Sequence, residues 1–323
     1  MKTRWCQRGL GLLLLLASLG LLAADDDPQR WLDRMAAAMS QMSYQGTFVY
    51  IQGEKVETMR ITHVVDGQGS SERLVSISGL PREIVRDSAG VRWLSGEGHS
   101  VMADPAVNRP FFPELPLDDA RLAAGSYEFK LAGTERVAGH SARLLSIVPK
   151  DTYRYGYSLW LDTQSGLLLQ WRLTASDGAT LAKLMFTDMK IGSEVDRTEL
   201  LSGSSSQALD QVKSGLPAEA RPSQGQSTWQ AVHVPSGFRL ASHRQQEPGK
   251  GQVFEHLVYS DGIAVVSVYV ESSGSRELDA GLSKLGTTHA FSREVDDFRV
   301  TVVGDVPAAT VQMIAESVGL DRR

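Results

Sequence analysis

The chain has 323 residues, 42% hydrophobic residues, a formal net charge of −5 and a single cysteine. This composition is typical of a globular protein and excludes wholesale disorder, and the acidic balance argues against a nucleic-acid binder, which needs a basic face for phosphates. Since the one cysteine is Cys6, a disulfide scaffold and a cysteine-based metal site are excluded as well.

Residues 1–24 have the pattern of a secretory signal peptide. Basic residues among the first eight precede an apolar run over 10–22, and two alanines stand before Asp25. This order predicts cleavage after Ala24. The alternative is an N-terminal anchor helix, although the apolar run is shorter than the ~20 residues that a membrane span needs. The signal looks bacterial, which makes the periplasm the expected location.

The first element after the signal is predicted to be an amphipathic helix. Asp27 suits the N-cap position and Pro28 suits the first helical position. Apolar side chains then recur at helical spacing, at Trp31, Leu32, Met35, Met39 and Met42. We interpret this stripe as core packing, with a membrane-binding face as the alternative.

From Tyr44 onward the period changes to two, which is typical of strands. Tyr44, Phe48 and Tyr50 are predicted to share one face of the first strand. Further strands are predicted at 56–65, 74–78, 83–86, 91–94, 127–131, 143–148, 155–161, 167–173 and 181–189. A proline-rich loop is predicted over 108–117, and it contains Phe111 and Phe112. The meander predicts one large curved antiparallel sheet or an open barrel.

The later strands of this meander are apolar on both faces. Leu184 and Phe186, for example, alternate with Met185 and Met189. A sheet with one solvated face would show a cleaner alternation. Two explanations stay open: helices pack on the concave side, or the inner face forms a cavity for an apolar ligand.

Residues 192–228 are rich in serine, glycine and proline, and they are predicted to link a domain over 25–191 to one over 229–323. A short helical turn is predicted near 209–212. In the second domain, strands are predicted over 232–240, 253–259, 263–270, 287–291 and 298–303, with a short helix over 278–285 and a terminal helix over 307–318.

Patterns for catalysis and metal binding are absent from the sequence. None of the seven histidines stands at the spacing of a helical zinc pair, and there is no Gly-x-Ser-x-Gly nucleophile elbow. Asp118-Asp119 and Asp296-Asp297 are neighbours, so on a strand their carboxylates would point to opposite faces. The sequence therefore predicts a protein that is not an enzyme and uses no cofactor or metal, although a site assembled from distant residues stays open.

Several segments resemble, in their order along the chain, the MucB/RseB family of periplasmic regulators. In the first domain they are Ser43-Tyr44-Gln45-Gly46-Thr47-Phe48-Val49-Tyr50, 135–139, Val148-Pro149-Lys150-Asp151, Arg154-Tyr155-Gly156-Tyr157 and 161–167. In the second domain they are Pro235-Ser236-Gly237-Phe238, Tyr259-Ser260-Asp261-Gly262 and 302–307. Ser236 departs from the family pattern, which has a second proline there.

The resemblance implies a mostly β, α+β fold. The large domain would be a LolA/LolB-like unclosed antiparallel β-barrel with helices, followed by a smaller mixed α/β domain. It also implies a function without catalysis. Such a protein binds the periplasmic region of a membrane-anchored anti-sigma factor (RseA/MucA-like) and protects it from regulated proteolysis. Lipopolysaccharide or another lipid relieves this binding and frees the envelope-stress sigma factor (sigma-E/AlgU type).

Six aromatic residues of the large domain are the candidates for lipid binding: Tyr44, Phe48, Tyr50, Phe111, Phe112 and Trp171. For each of them, ordinary core packing is the alternative. The linker and the second domain are expected to bind the anti-sigma factor, by resemblance alone, and a homodimer stays open. The other functional hypotheses are a lipid or lipoprotein carrier of the LolA type, which has no need of a second domain, and a periplasmic hydrolase.

Overall fold

The structure, a computed structural model, describes residues 27–67, 69–87, 90–95, 100–103, 123–200, 229–246, 254–272 and 280–320. The predicted signal peptide, the loop over 108–117 with Phe111 and Phe112, and the helical turn near 209–212 lie outside these residues. No helix in the described ranges combines the length and the apolar character needed to cross a membrane.

The predicted first helix is confirmed as α1, Pro28–Gln41. The Asp27 carboxylate caps it by accepting a hydrogen bond from the backbone N–H of Gln29 at 3.0 Å, which satisfies one of the free N–H groups of the first turn. The apolar stripe is buried through Trp31, Leu32, Met35 and Ala38. The stripe is therefore core packing, as interpreted from the sequence.

Eleven antiparallel strands form the large sheet. They are β1 Tyr44–Gln52, β2 Lys55–Asp66, β3 Gly69–Ser76, β4 Arg82–Asp87, β5 Gly90–Ser95, β6 Ser100–Ala103, β7 Tyr127–Val137, β8 His140–Pro149, β9 Gly156–Asp162, β10 Leu168–Thr174 and β11 Thr180–Ile191. Their order is β6-β5-β4-β3-β2-β1-β11-β10-β9-β8-β7. β1 thus pairs with both β2 and β11, while β6 and β7 form the two edges. The predicted unclosed meander is confirmed.

The core of this domain lies against one side of the sheet, which we call the inner face. Its buried side chains include Tyr44, Phe48, Met59, Ile61, Leu159, Leu184 and Phe186, and the buried residues of α1 belong to the same cluster. The opposite, outer face is also covered in part, because Trp160 is 5% exposed there. This double coverage accounts for strands that are apolar on both sides.

Residues 192–200, the start of the predicted linker, form two 3₁₀ turns, Gly192–Glu194 and Arg197–Leu200. The second turn contacts the large sheet, since the Arg73 guanidinium on β3 donates to the carbonyl oxygen of Glu199 at 2.9 Å. The carboxylate of Glu199 also lies 3.9 Å from the guanidinium of Arg60 on β2. The chain therefore stays attached to the first domain up to residue 200.

The second domain consists of β12 Trp229–Ala231, β13 Arg239–Gln246, β14 Phe254–Ser260, β15 Val265–Ser272, β16 Gly281–Leu285, β17 Thr288–Val295, β18 Phe298–Gly304, α2 Ala308–Ser317 and β19 Val318–Leu320. Six strands form one antiparallel sheet in the order β13-β14-β15-β18-β17-β16, and β12 pairs with β19. α2 buries Val311, Ile314 and Ala315 over β17 and β18. The predicted terminal helix and the mixed architecture are confirmed.

Two predictions for this domain are wrong in part. The segment predicted as a short helix contains β16, where Leu282 pairs with Phe291 of β17. Pairing along a sheet outweighs the helical spacing of three leucines in so short a segment. The strand predicted over 232–240 is interrupted by a turn, in which the N–H of Phe238 donates to the carbonyl of Pro235 at 3.1 Å, and β13 begins only at Arg239.

Candidate ligand face and domain junction

The four described lipid candidates all lie on the inner face. Tyr44, Phe48 and Tyr50 alternate along β1, and Trp171 lies on β10. Tyr44 and Phe48 are each 2% exposed and Trp171 is 8% exposed, so all three are buried in the protein alone. The structure therefore brings these four side chains to one surface, and their contact with lipid stays a prediction.

Tyr50 and Trp171 belong to one row of side chains that crosses the sheet. Paired positions on successive strands from β7 to β2 place in register Leu131, Leu145, Leu159, Trp171, Leu184, Tyr50 and Glu57. The ring centroids of Tyr50 and Trp171 are 6.1 Å apart. We call this set the Trp171 row; Glu57 on β2 is its one charged member.

The polar end of the Trp171 row is a buried carboxylate. Glu57 is 8% exposed, and it is paired with the guanidinium of Arg82 and with the ammonium of Lys55 at 3.2 Å. The pKa of Tyr50 is raised above its ordinary value by burial of the phenol and, secondarily, by the negative charges of Asp305 and Glu57. Two carboxylates therefore act on the Tyr50 phenol at this end of the row.

The second domain meets the first at a fully buried arginine, which we call the Arg154 junction. Arg154 precedes β9 and is 0% exposed. Its Nε donates to the carboxylate of Asp261 and its Nη2 to the carbonyl oxygen of Ser236, both in the second domain. Its Nη1 donates to Asp151 of its own domain. A guanidinium with all three nitrogens engaged fixes the direction of approach of its partners.

Aromatic rings from both domains flank this guanidinium. Its central carbon lies 5.7 Å from the ring centroid of Tyr127 in the first domain and 4.9 Å from that of Phe238 in the second. Burial acts to lower the pKa of Arg154, but the hydrogen bonds and charges of Asp261 and Asp151 outweigh it and raise the pKa. The junction is thus built around a permanently charged group.

Close packing surrounds the Arg154 junction. Gly237 has a φ of +91°, and a Cβ at this position would lie 2.4 Å from the hydroxyl oxygen of Ser126. Ile263, in the turn after β14, is 4% exposed and belongs to the hydrophobic cluster of the first domain. The hydroxyl of Thr310 on α2 donates to the carbonyl of Tyr153 at 2.7 Å. Backbone, apolar and charged contacts therefore join the two domains.

A second set of contacts joins the domains beside the inner face. Tyr155 lies with its hydroxyl 3.2 Å from Nδ1 of His289 and donates to the carbonyl of Thr287 at 3.3 Å. The side-chain amide of Gln52, at the end of β1, donates to the hydroxyl of Thr287 at 3.3 Å. Burial raises the pKa of Tyr155 to about 12 and also raises that of Tyr157. These phenols stay neutral at physiological pH.

The described residues hold no cluster of metal-ligating side chains. Among these residues, His63, His140 and His243 each lie beside one carboxylate, as in the pair of His243 with Glu255, whose atoms are 3.0 Å apart.

Sequence reasoning missed the junction, although the segments that form it were recognised. Arg154, Ser236 and Asp261 stand in three segments that carry the family resemblance, and the structure brings these segments together. The sequence did contain an indication of this contact, because these motifs include a charged residue or a turn residue among apolar ones. Arg154 and Asp261 are 107 residues apart in the chain, so nothing in the local pattern pairs them.

Comparison with known proteins assigns both domains to one family. Residues 27–203 match the MucB/RseB N-terminal domain and residues 223–319 match the MucB/RseB C-terminal domain. The sigma factor AlgU regulatory protein MucB of Pseudomonas aeruginosa is 34% identical over 321 residues, which cover 96% of this chain and 97% of that protein. The sigma-E factor regulatory protein RseB of Haemophilus influenzae is 28% identical over 322 residues, 96% of each chain.

A solved structure is similar over both domains as well. The crystal structure of MucB in complex with MucA(peri) superposes with a TM-score of 0.69 at 30% identity, covering 92% of this chain and 100% of that chain.

Proposed function

The chain belongs to the MucB/RseB family, and on this premise we propose that it is a periplasmic negative regulator of an envelope-stress sigma factor. It binds the periplasmic region of a membrane-anchored anti-sigma factor of the RseA/MucA type and protects it from regulated proteolysis. Lipopolysaccharide or another lipid binds the protein and relieves this protection. Two findings support the proposal: relatives named as sigma factor regulatory proteins and a relative crystallised with MucA(peri).

The observation that carries the proposal is the continuity between the inner face and the Arg154 junction. β9 contributes Leu159 to the Trp171 row, and the residues directly before β9 are Arg154 and Tyr155, which hold the second domain. A ligand on the inner face therefore acts on the strand that positions the other domain. A regulator needs only a ligand that favours the form with lower affinity for the partner, and such coupling is typically about 1–3 kcal/mol.

Each part of the chain has a role in this proposal. Residues 1–24 direct export to the periplasm, and the domain over 25–191 senses lipid with Tyr44, Phe48, Tyr50 and Trp171, together with Phe111 and Phe112. The linker over 192–228 and the domain over 229–323 contact the anti-sigma factor. The protein acts by binding rather than by catalysis, in keeping with relatives named as regulatory proteins.

A lipid or lipoprotein carrier of the LolA type is the main alternative, because an apolar inner face suits both functions. The Arg154 junction favours the regulator. A carrier needs only the domain that holds the lipid, whereas here a fully buried ion pair ties a second domain to it.

A binding experiment tests the proposal. The periplasmic segment of the anti-sigma factor from the same organism is immobilised, and retention of the protein is measured with and without lipopolysaccharide. We expect retention that lipopolysaccharide reverses, and we expect the bound segment to resist a protease that digests the free segment. Lack of retention, or retention that lipid leaves unchanged, would contradict the regulator, and lipid transfer between vesicles would favour the carrier.

A further inference from the structure

Several buried polar groups on the inner face have no hydrogen bond among the described residues, including the ring nitrogens of His63, which is paired with Tyr44, and the indole N–H of Trp171. The indole Nε1 of Trp171 is buried, and no acceptor among the described residues lies within hydrogen-bonding distance. Leaving a buried N–H without an acceptor is unfavourable, and such groups are rare in folded proteins. His63 has the carboxylate of Glu72 at 3.6 Å from its Nδ1. The Trp171 N–H has no such partner, and it therefore needs an explanation.

A second tryptophan on the neighbouring strand provides the contrast. Trp160 on β9 is on the outer face and is similarly buried, at 5% exposed. Its Nε1 donates to the carboxylate of Glu135 at 3.0 Å, and the guanidinium of Arg172 lies 5.5 Å from its ring centroid. The indole N–H is thus hydrogen-bonded on the outer face at Trp160 and has no acceptor on the inner face at Trp171.

The surroundings of Trp171 restrict the kind of acceptor that can reach it. Its cross-strand neighbours are Leu159 on one side and Leu184 on the other, so the approach is apolar. A strongly hydrated group would lose its water there without compensation. For a carbonyl at the end of a hydrocarbon chain this desolvation cost is small, because most of the ligand is apolar.

We propose that the indole N–H of Trp171 donates a hydrogen bond to the carbonyl oxygen of an acyl ester or acyl amide, whose chain lies on the inner face. This inference rests on the proposed lipid binding and names the chemical group that is recognised. The acyl carbonyl is shared by phospholipids and by the lipid part of lipopolysaccharide, and either can supply it.

A neutral carbonyl fits this position better than the carboxylate of a free fatty acid. Beyond Leu184 the row continues to Tyr50 and the buried carboxylate of Glu57. The charges of Glu57 and Asp305 both act on the Tyr50 phenol, secondarily to burial, in the direction that disfavours its anion. Arg82 and Lys55 both contact Glu57 at the far end of the row. The positions that flank Trp171, Leu159 and Leu184, offer no cation to a carboxylate.

A pair of lipids that differ only at the carbonyl tests the inference. One is a lysophospholipid with an ester-linked palmitoyl chain, and the other is its ether-linked counterpart, which lacks the carbonyl oxygen. Affinities are measured for the wild type, for Trp171→Phe and for Trp160→Phe as the matched control. We expect the wild type and Trp160→Phe to prefer the ester by roughly three- to tenfold, the range of one hydrogen bond. Trp171→Phe should bind both lipids equally.

Lipopolysaccharide and palmitate form two further arms. If the carbonyl is recognised in both lipid sources, Trp171→Phe weakens lipopolysaccharide binding by the same factor as ester lysophospholipid binding. Weakening of only one of them identifies the source. Palmitate should bind more weakly than the ester, and tighter binding of palmitate would overturn the choice of a neutral carbonyl.

A spectroscopic readout on the wild type makes the test independent of how well the variant folds. Five tryptophans remain once the predicted signal peptide, residues 1–24, is removed. Among their indole N–H signals, the Trp171 signal should shift downfield with the ester lipid and not with the ether lipid. The Trp160 signal should stay in place.

The outcomes separate the two levels of the proposal. Equal binding of both lipids by the wild type, with an unmoved Trp171 signal, overturns the role of Trp171 and leaves lipid sensing intact. Failure to bind either lysophospholipid or lipopolysaccharide overturns both.

Discussion

The Arg154 junction and the Trp171 row both bury polar groups, but only the junction provides a hydrogen-bond acceptor for each of them. At the junction, all three guanidinium nitrogens of Arg154 have an oxygen acceptor. On the Trp171 row, the indole N–H has none within the part of the chain that the structure describes. The difference shows that the polar groups of the contact between domains are satisfied within the protein, whereas on the inner face we propose that a bound acyl carbonyl supplies the missing acceptor.

Arg154→Met is expected to have the largest effect, because it removes the centre of the completed network. The Asp261 carboxylate, whose side chain is 0% exposed, would be left buried without its cation. Breaking a buried pair in this way lowers the free energy of unfolding by about 3–5 kcal/mol. The measurement is unfolding in urea.

The control for Arg154→Met is Arg92→Met. Arg92 pairs with Asp87 at 2.8 Å on the surface, with its side chain 45% exposed, and an exposed pair contributes about 0–1 kcal/mol. Equal losses of unfolding free energy in the two variants would show that the Arg154 pair contributes no more to stability than a surface ion pair.

Gly237→Ala tests the packing of the junction and should have the next largest effect. The alanine would adopt a φ of +91° and place its Cβ 2.4 Å from the Ser126 hydroxyl oxygen. We expect a loss of about 2–3 kcal/mol in the free energy of unfolding, from backbone strain and the contact together. Gly178→Ala is the matched control, since Gly178 has a φ of +84° and open space around it.

The two glycine variants separate strain from contact. Gly178→Ala should show the backbone contribution alone, about 1–2 kcal/mol. Adding Ser126→Ala to Gly237→Ala should recover the excess over that value. If the double variant is no more stable than Gly237→Ala, the contact with Ser126 does not account for the excess loss of stability.

Tyr155→Phe sharpens the comparison at the boundary between the junction and the inner face, with the smallest expected effect. It removes the hydroxyl contacts with His289 and Thr287, and we expect a loss of about 0.5–1.5 kcal/mol. Urea unfolding measures it at neutral pH.

The same variant should change the dependence of stability on alkaline pH. In the folded protein the pKa of Tyr155 is about 12, against an ordinary value of 10.0. Between these values the unfolded chain loses the phenolic proton first, so this group contributes stability below about pH 10 that is lost as the pH rises toward 12. Tyr155→Phe should show a shallower fall in that range. An unchanged slope would mean that the phenol is not desolvated by the second domain.

The sequence was sufficient to predict elements defined by local pattern. Asp27 and Pro28 marked the start of α1, and the alternation of Tyr44, Phe48 and Tyr50 placed these residues on one face of β1. The local pattern predicted the wrong secondary structure where pairing with a neighbouring strand determines it. The leucines at 282 and 285 have helical spacing, yet they belong to β16 because β17 is beside them.

The site was predictable to the level of a face, and no further. Aromatic residues at alternating positions indicate the inner face, but the register that aligns Trp171, Leu184 and Tyr50 depends on three strands that meet only in the folded sheet. An arginine between tyrosines gives no sign that it will be fully buried, because its acidic partner Asp261 lies in the other domain. Contacts between residues so far apart in the chain cannot be recognised from the local patterns of a single sequence.

The pairing of β1 with β11 has a consequence for the order in which the molecule forms. Tyr44 pairs with Ile191, so the first strand of the large sheet to be synthesised waits for the last strand of that sheet. Contacts between such distant positions slow folding. During that interval β1 presents an unpaired edge that invites association with other chains. The first strand of this sheet to be synthesised is therefore among the last to have both of its edges paired.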